Sequence, residues 1–217
     1  MGICGTCRST TGGYGSWSPN DVRASPGRWE VPMIATPETA GGAGVPHHPL
    51  LIVFAGRPGT GKTTLSRLVA AALRAAILRV DVVEAAIVRH ALGDHPVGPI
   101  GYAVVHDLAA ACLGVGTTVV VDAVNGVPEA RAAWPALASE AGVRLAVVEV
   151  SLSDEAEHRR RVEQRVSDLT GMVVPTWERI VAGGYAPWLP HRDGARLQVD
   201  GAQDSAFAEI LAYLAAF

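Results

Sequence analysis

Residues 50–64 read LLIVFAGRPGTGKTT, an apolar run that passes directly into a turn rich in glycine. The segment Leu50–Ala55 is apolar throughout, as expected for a central parallel strand that is covered on both faces. Apolar residues recur at helical spacing after the turn, from Leu65 to Leu73. This stretch therefore predicts a strand, a glycine-rich turn and a helix in direct succession.

The turn matches the pattern G-x-x-x-x-G-K-[ST] at every fixed position. Glycines in such a turn let backbone N–H groups surround a phosphate, and the helix that follows adds the positive end of its dipole. In this pattern Lys62 reaches the β- and γ-phosphates, and the Thr63 hydroxyl binds Mg²⁺. We predict that the turn binds ATP with Mg²⁺ through Gly56, Arg57, Pro58, Gly59, Thr60, Gly61, Lys62, Thr63 and Thr64.

Strands and helices alternate through the rest of the chain. Further strands are predicted at about residues 76–80, 117–121, 143–150 and 196–199, and helices at about 82–92, 102–113, 129–141, 153–168 and 206–215, with a loop-rich stretch at 169–194. This alternation predicts an α/β fold, in which a five-stranded parallel sheet lies between two layers of helices. Ligands of such sheets bind beyond the carboxyl ends of the strands, where Asp81, Asp122 and Asp200 are expected.

Two of these acids have candidate roles, one as a metal ligand and the other as a catalytic base. Asp122 ends the β-branched segment 117–121 and is predicted to hold Mg²⁺ together with Thr63; an acid that merely caps a strand is the alternative. Asp81 ends the second predicted strand, where a carboxylate can accept the proton of an attacking hydroxyl. A structural cap of the helix that begins near Val82 is the alternative for Asp81.

The densest basic cluster contains Arg159, Arg160, Arg161 and Arg165. Arg161 and Arg165 are four residues apart, which predicts that they share one helix face. A transferring phosphoryl group needs added positive charge, and one arginine can accelerate such a transfer by roughly 10³–10⁵. We predict a catalytic lid role for Arg161 or Arg165, with an ordinary surface ion pair between Glu157 and Arg161 as the alternative.

The order of these features resembles that of the small P-loop kinases over about residues 50–204. The group includes AAA-like ATP-binding proteins, chloramphenicol phosphotransferase, zeta-toxin kinases, gluconate kinase and adenylyl-sulfate kinase. The resemblance implies a P-loop NTPase sandwich with strand order 2-3-1-4-5. It also implies that Asp81 is the catalytic base, that Arg161 and Arg165 are lid arginines, and that ATP phosphorylates a hydroxyl of a small molecule.

The sequence departs from this group at Glu84, where many relatives carry an arginine. A glutamate there would repel an acidic substrate, which favours a neutral or cationic hydroxyl compound. The segment 122–125, DAVN, resembles the substrate-side loop of this group, which implies that Asn125 contacts the acceptor or the metal. A further set of residues is expected either to line an acceptor pocket or to pack the second half of the domain: the Gly101-Tyr102 pair, Trp177, Tyr185 and Trp188.

Composition restricts the partners. The chain has 217 residues, a net charge of −3 and a single lysine, Lys62, so charge-driven binding to nucleic acid or to anionic membranes is not expected. A polynucleotide 5′-hydroxyl kinase, a toxin kinase acting on a nucleotide sugar, and an ATPase switch without a small-molecule acceptor remain alternatives. No segment approaches the roughly 18 apolar residues of a membrane span, and no signal-peptide pattern is present, so we expect a cytoplasmic protein.

The first 48 residues differ from the rest. They are rich in glycine, serine, threonine and proline and show neither helical nor strand periodicity. Such a segment buries too little apolar surface to offset the entropy of ordering it, so we predict a disordered tail at residues 1–48. A P-loop kinase domain is predicted over residues 49–217, with a lid region at about 155–190.

Overall fold

The computed structural model describes residues 48–90, 92, 97–170 and 174–217. Apart from His48, the predicted disordered tail lies outside the described residues. Its disorder and the domain boundary at residue 49 therefore stay predictions.

Five parallel strands form a single sheet: β1 (Leu50–Ala55), β2 (Ala76–Arg79), β3 (Val119–Asp122), β4 (Arg144–Ser151) and β5 (Leu197–Asp200). Their order is β2-β3-β1-β4-β5, so the predicted order is confirmed. The central strand is β1, in which Val53 pairs with Val121 on one side and Val147 on the other. All six β1 residues are buried, as its continuous apolar run predicts.

The helices cover both faces of the sheet. They are α1 (Lys62–Leu73), α2 (Val80–Arg89), α3 (Ile100–Gly114), α4 (Pro128–Ala141), α5 (Glu155–Glu163), α6 (Trp177–Ala182), α7 (Pro190–Asp193) and α8 (Ala206–Leu214). Successive strand residues point to opposite faces, and the core divides accordingly. Ile52 and Phe54 pack against α1 and α8, whereas Leu51 and Val53 pack with residues of α3 and α4. The predicted three-layer P-loop NTPase sandwich is confirmed.

The junction between β2 and α2 lies earlier than predicted. The strand ends at Arg79 and the helix begins at Val80, so Asp81 lies in the first turn of α2 rather than at the end of a strand. An acidic side chain in the first turn is stabilised by the positive end of the helix dipole, which favours this early start.

The second difference concerns α5, which ends at Glu163 instead of continuing to residue 168. The hydroxyl of Ser167 accepts a hydrogen bond from the Leu169 N–H (3.1 Å) and donates one to its carbonyl oxygen (3.0 Å). Such local bonds compete with helix formation. Arg161 therefore lies in the helix and Arg165 beyond it, and the prediction that they share a helix face was wrong.

The predicted loop at 169–194 contains two short helices. The hydroxyl of Thr176 accepts a hydrogen bond from the Arg179 N–H (3.4 Å) and begins α6, while Pro190 occupies the first turn of α7. Both are ordinary helix starts, but six and four residues are too few to show helical periodicity in a sequence. Across the described part of the chain, none of these helices is long and apolar enough to cross a bilayer.

Candidate nucleotide-binding and transfer site

The glycine-rich turn between β1 and α1 is held closely by the ends of two neighbouring strands. The Gly56 N–H donates to the Val124 carbonyl oxygen (3.1 Å), just beyond β3. Gly56 has a φ of +139°, and a Cβ atom there would lie 2.2 Å from the Val150 carbonyl oxygen in β4. Only glycine fits this position, because the backbone conformation and the close approach both exclude a side chain.

The other side of the turn is also supported. The Thr60 hydroxyl donates to the Arg57 carbonyl oxygen (2.9 Å), and Nε2 of His158 in α5 donates to the Pro58 carbonyl oxygen (2.8 Å). Behind the turn, Gly201 follows β5 so closely that a Cβ atom on it would lie 1.9 Å from the Thr60 carbonyl oxygen. The turn is therefore fixed from several directions, as a preorganised phosphate site requires.

A cleft of about 370 Å³ opens at the amino-terminal end of α1. Its lining residues are Gly59, Gly61, Lys62, Thr63, Thr64, Arg67, Arg161, Arg165, Val166 and Asp168. The cleft brings together five of the predicted nucleotide-binding residues and both predicted lid arginines. Of the other predicted residues, Gly56, Arg57 and Thr60 line a second cleft on the far side of the turn.

Three polar side chains meet at the base of the first cleft. The Thr63 hydroxyl donates to Oδ2 of Asp122 at 2.7 Å, and Nζ of Lys62 lies 3.9 Å from Oδ1 of the same carboxylate. Lys62 and Asp122 are both buried. The structure thus brings the predicted phosphate-binding lysine and the two predicted Mg²⁺ ligands together.

These residues fit a magnesium ion. Oδ1 of Asp122 is buried and has no hydrogen-bond partner among the described residues. A buried carboxylate oxygen without a partner is costly, and carboxylate and hydroxyl oxygens are the kind of ligand that Mg²⁺ takes. The described residues include no cluster of three or more His, Cys, Asp or Glu side chains that could hold a metal. An ion at Thr63 and Asp122 would therefore depend on nucleotide phosphates and water for its other ligands.

Asp81 faces the lid. Its Oδ2 atom lies 4.0 Å from Nη2 of Arg165, and about a fifth of its side chain (22%) is exposed. This places a carboxylate next to a cation that also lines the phosphate cleft. A base for an acceptor hydroxyl needs such an accessible position, although the location in the first turn of α2 also fits a purely structural role.

Asp81 also has an acidic neighbour on its own helix. Burial, and then the nearby Asp81 charge, raise the pKa of Glu84 in α2. Burial also raises the pKa of Tyr102 in α3 to about 12, and its hydroxyl accepts a hydrogen bond from the Asn125 N–H (3.0 Å). Helix α2 therefore brings two carboxyl groups, those of Asp81 and Glu84, to this side of the site, and Arg165 supplies the positive charge next to Asp81.

The predicted side-chain role of Asn125 is not supported by its contacts. Nδ2 donates to the Phe54 carbonyl oxygen (3.0 Å), and Oδ1 accepts from Nε1 of Trp134 (2.9 Å). The residue is 1% exposed and has a φ of +49°. Its side chain stabilises the loop after β3 from inside the fold rather than facing the cleft.

The arginines of α5 and of the segment after it divide into two groups. Arg161 pairs with Glu157 (Nε to Oε1, 2.6 Å), so the ion pair considered as the alternative is present. Arg161 also donates from Nη1 to the Gly201 carbonyl oxygen (3.1 Å) and lines the cleft. Arg159 and Arg160 are exposed and pair with acidic side chains of their own helix. Arg161 and Arg165 therefore remain the candidates for contact with a nucleotide.

The sequence analysis missed an ion-pair cluster beside this site. Arg79, the last residue of β2, lies between Asp122 and Asp168, and Asp168 also pairs with Arg67 of α1. The hydrogen bond from Arg79, supported by Arg67, lowers the pKa of Asp168 to about 2. The only sequence signal was an arginine at the end of the short apolar segment AILR.

The second cleft, of about 560 Å³, contains three of the four aromatic residues considered as pocket candidates, whereas Tyr102 lies apart from it in α3. Trp177, Tyr185 and Trp188 line it. The Tyr185 hydroxyl donates to Oε1 of Glu149 (2.9 Å), and Nε1 of Trp188 donates to the Gly194 carbonyl oxygen (2.9 Å). The polar ends of Tyr185 and Trp188 are thus used to hold the 183–194 segment, while the cleft remains open beside the phosphate turn.

The fold and this site together define a P-loop NTPase. A family model described as an AAA domain, AAA_33, matches residues 51–176, more than half of the 217-residue chain. The chain belongs to this AAA-domain family. No curated protein matches it by sequence.

Three solved structures are similar. A protein from Chloroflexus aurantiacus J-10-fl, provisionally described as a kinase, is 22% identical, with a TM-score of 0.62 over 78% of this chain and 98% of its own. Kti12 from Chaetomium thermophilum, in complex with ADP-AlF3, is 20% identical, with a TM-score of 0.59 over 76% and 97%. A gluconokinase from Sinorhizobium meliloti 1021 is 20% identical, with a TM-score of 0.55 over 78% and 94%. At these identities the likeness establishes the shared P-loop NTPase fold.

Proposed function

We propose that the protein is an ATP-dependent phosphotransferase that moves the γ-phosphate of ATP to a hydroxyl group of a small molecule. The observation that carries this proposal is the pairing of Asp81 with Arg165 at 4.0 Å, beside the phosphate cleft. Nucleotide binding alone does not require a partly exposed carboxylate at that place. Transfer to a hydroxyl does, because the attacking oxygen must lose its proton.

The phosphates of ATP would lie against the backbone of residues 59–64, with Lys62 close to the β- and γ-phosphates. Thr63 and Asp122 would hold Mg²⁺, which when bound neutralises the negative charge on those phosphates. Lys62 is 5% exposed, so its charge acts in surroundings with little water. Electrostatic attraction to phosphate is stronger there than at the protein surface.

In the transfer step the acceptor oxygen forms a bond to the γ-phosphorus as the bond to the β–γ bridging oxygen breaks. The hydroxyl proton passes to the Asp81 carboxylate, and ADP leaves with the electron pair of the broken bond. Arg165, together with Arg161, supplies positive charge to the phosphoryl oxygens from the lid side. Because Asp81 is partly exposed, it can return its proton to solvent before the next cycle.

The charge around Asp81 supports a neutral or cationic acceptor. Glu84 lies one turn further along α2, and the Asp81 charge contributes to its raised pKa. An anionic acceptor would meet two neighbouring carboxyl groups, and like charges at close range are unfavourable. Amino sugars, aminoglycosides, nucleosides and neutral sugars are therefore better candidates than sugar acids.

The first experiment measures transfer of ³²P from [γ-³²P]ATP to pooled small hydroxyl compounds, with Mg²⁺ and purified full-length protein. We expect a labelled product with one pool and none with Asp81→Asn, whose affinity for ATP stays within about threefold of wild type because the carboxylate is separate from the phosphate turn. Asp107→Asn, a change at a 90% exposed position of α3, is the matched control and should keep full transfer.

Other products would contradict the proposal. Release of inorganic phosphate alone would identify an ATPase or a nucleotide switch. Label on the 5′ end of an oligonucleotide would identify a polynucleotide kinase, which the net charge of −3 and the single lysine argue against. Unchanged transfer by Asp81→Asn would exclude Asp81 as the base.

A further inference from the structure

Arg79 is an unusual end for an edge strand. In β2 the apolar residues Ala76, Ile77 and Leu78 are exposed or only partly buried, whereas Arg79 is 7% exposed. Arginine is almost never buried unless it is paired. Its burial therefore points to partners that hold the guanidinium group at the carboxyl end of the sheet.

Those partners are two carboxylates with different roles. Asp122 is the neighbour of Arg79 in the β2–β3 register, and its Oδ2 atom lies 3.3 Å from Nε of Arg79. Asp168 lies in the lid loop, which we define as residues 164–170. It accepts hydrogen bonds from Nη1 of Arg79 at 2.9 Å and from Nη2 at 3.4 Å. One guanidinium group therefore connects the proposed magnesium ligand with the lid.

The contact closes a ring of side chains around the phosphate cleft. Thr63 donates to Asp122, Arg79 joins Asp122 to Asp168, and Arg67 returns from Asp168 to α1 (Nη2 to Oδ2, 2.5 Å). Thr63 and Arg67 are four residues apart on α1 and lie on the same face of it. Both residues and Asp168 line the cleft, so this ring of side chains borders the place where the phosphates would bind.

The two arginines on Asp168 are not equivalent. The Arg67 side chain is 54% exposed, and exposed ion pairs contribute little because water screens them. The Arg79 side chain is 6% exposed and presents a fork of two donors to the carboxylate. Nε of Arg79 has no hydrogen-bond partner among the described residues despite the nearby Asp122. The hydrogen bonds that hold this guanidinium therefore go to the lid.

We propose that Arg79 is a positioning residue that holds the lid loop against the nucleotide cleft through Asp168, and so places Arg165 beside Asp81. Arg165 precedes Asp168 by only three residues in the same loop. When the loop is freed from Arg79, we therefore expect Arg165 to move away from its position 4.0 Å from Asp81. The inference rests on the proposed nucleotide site, but it does not depend on the identity of the acceptor.

The test is hydrogen–deuterium exchange of the full chain, with and without Mg²⁺ and the non-hydrolysable ATP analogue AMP-PNP. Asp168→Asn removes the ion pair between Asp168 and Arg79. Because the Asp168 side chain is 42% exposed, the fold is expected to survive this change. Arg67→Gln removes only the exposed partner. Glu163→Gln removes an exposed ion pair of α5 and is the control for a charge change near the lid.

In Asp168→Asn we expect exchange of peptides covering 164–170 to rise about tenfold or more. AMP-PNP affinity should change by less than about tenfold, the limit also expected when Arg165 itself is removed. Peptides covering β1 and α1 should keep their wild-type exchange. Arg67→Gln should change lid exchange by no more than about twofold, and Glu163→Gln not at all. Arg79→Lys keeps the charge but loses the fork, so its lid exchange should lie between wild type and Asp168→Asn.

Equal lid exchange in wild type and Asp168→Asn would overturn the proposal. So would a uniform rise across all peptides with a fall in the thermal midpoint, because that result identifies a purely structural ion pair. If AMP-PNP does not bind the wild type, the proposed nucleotide site is wrong. In that case, the difference in lid exchange between wild type and Asp168→Asn, measured without nucleotide, still decides whether Arg79 holds the lid.

Discussion

The phosphate turn and the lid loop border the same cleft, but different interactions hold them. The turn is one continuous stretch in which every hydrogen bond described above ends on the backbone, such as that from Gly56 to Val124 and those from the Thr60 and His158 side chains, and it packs closely against Gly201. The lid loop is attached by side chains. Asp168 pairs with Arg67 and Arg79, which precede it by 101 and 89 residues.

This difference separates what each region can do. A turn held largely through its backbone keeps its shape when a side chain that faces the cleft, such as Lys62, is changed, so such a substitution removes a contact with the ligand. A loop held by a few ion pairs can open when a single charge is removed, because each pair is a large part of its attachment. We therefore expect substitutions in the turn to change chemistry and substitutions in the lid to change position.

The largest expected effect is on the side of the turn. Lys62→Ala should lower transfer by about 10³-fold or more and weaken ATP binding, because no other lysine exists to replace it. Steady-state transfer and calorimetric ATP binding measure both effects. Arg144→Ala is the control, because Arg144 lies at the amino-terminal end of β4, away from the carboxyl ends of the strands. An Lys62→Ala variant with normal turnover would remove the phosphate turn from the mechanism.

A smaller loss is expected on the lid side. Arg165→Ala should lower turnover by about 10²-fold, since Arg161 still lines the cleft, and change ATP affinity by less than about tenfold. Arg159→Ala, at an exposed position of α5, should leave both constants unchanged. An equal loss of turnover in Arg165→Ala and Arg159→Ala would show that the location of Arg165 beside the cleft does not contribute to transfer.

A third prediction tests the rigid support of the turn. Gly201→Ala places a Cβ atom 1.9 Å from the Thr60 carbonyl oxygen, and the required shift should cost about 1–3 kcal/mol in the free energy of unfolding. Gly114→Ala is the matched control, because a Cβ atom there meets nothing within 4 Å. Denaturant unfolding of both variants measures the difference. Equal stability would show that the turn yields more easily than its packing indicates.

The smallest effect is expected from pH. The pKa of Asp168 is lowered to about 2, so its contribution to lid attachment is complete above its ordinary value of about 3.9 and is lost as pH falls through about 2. Lid attachment should therefore not change between pH 5 and 8. NMR titration of the Asp168 carboxyl should give a midpoint near 2, moving toward about 3.9 in Arg79→Gln. A wild-type midpoint near 3.9 would contradict the ion pair.

The same contrast explains what could be predicted from the sequence. The phosphate turn was predictable because strand, turn and helix are contiguous and each has a local signal. The end of β3 at Asp122 was predicted for the same reason. The strand order needed the resemblance to a known group, since the spacing of segments does not state which strands are neighbours.

The lid was predicted less well for physical reasons. Where α5 ends depends on Ser167 hydrogen bonds and on distant partners of Asp168, and neither shows in the apolar pattern. The partnership of Arg79 with Asp168 depends on the β2–β3 register and on the path of a loop between helices. Such contacts are set by the tertiary fold, so a sequence carries no period or motif that identifies them.

Because Lys62 is the single lysine, chemical labelling of its side chain can report on nucleotide binding. Acylating reagents react with amines, and within the chain Lys62 offers the only side-chain amine. It lies in the phosphate cleft and is 5% exposed. Labelling at Lys62, which peptide mapping by mass spectrometry separates from labelling at the terminal α-amine, therefore reports whether a nucleotide occupies the cleft.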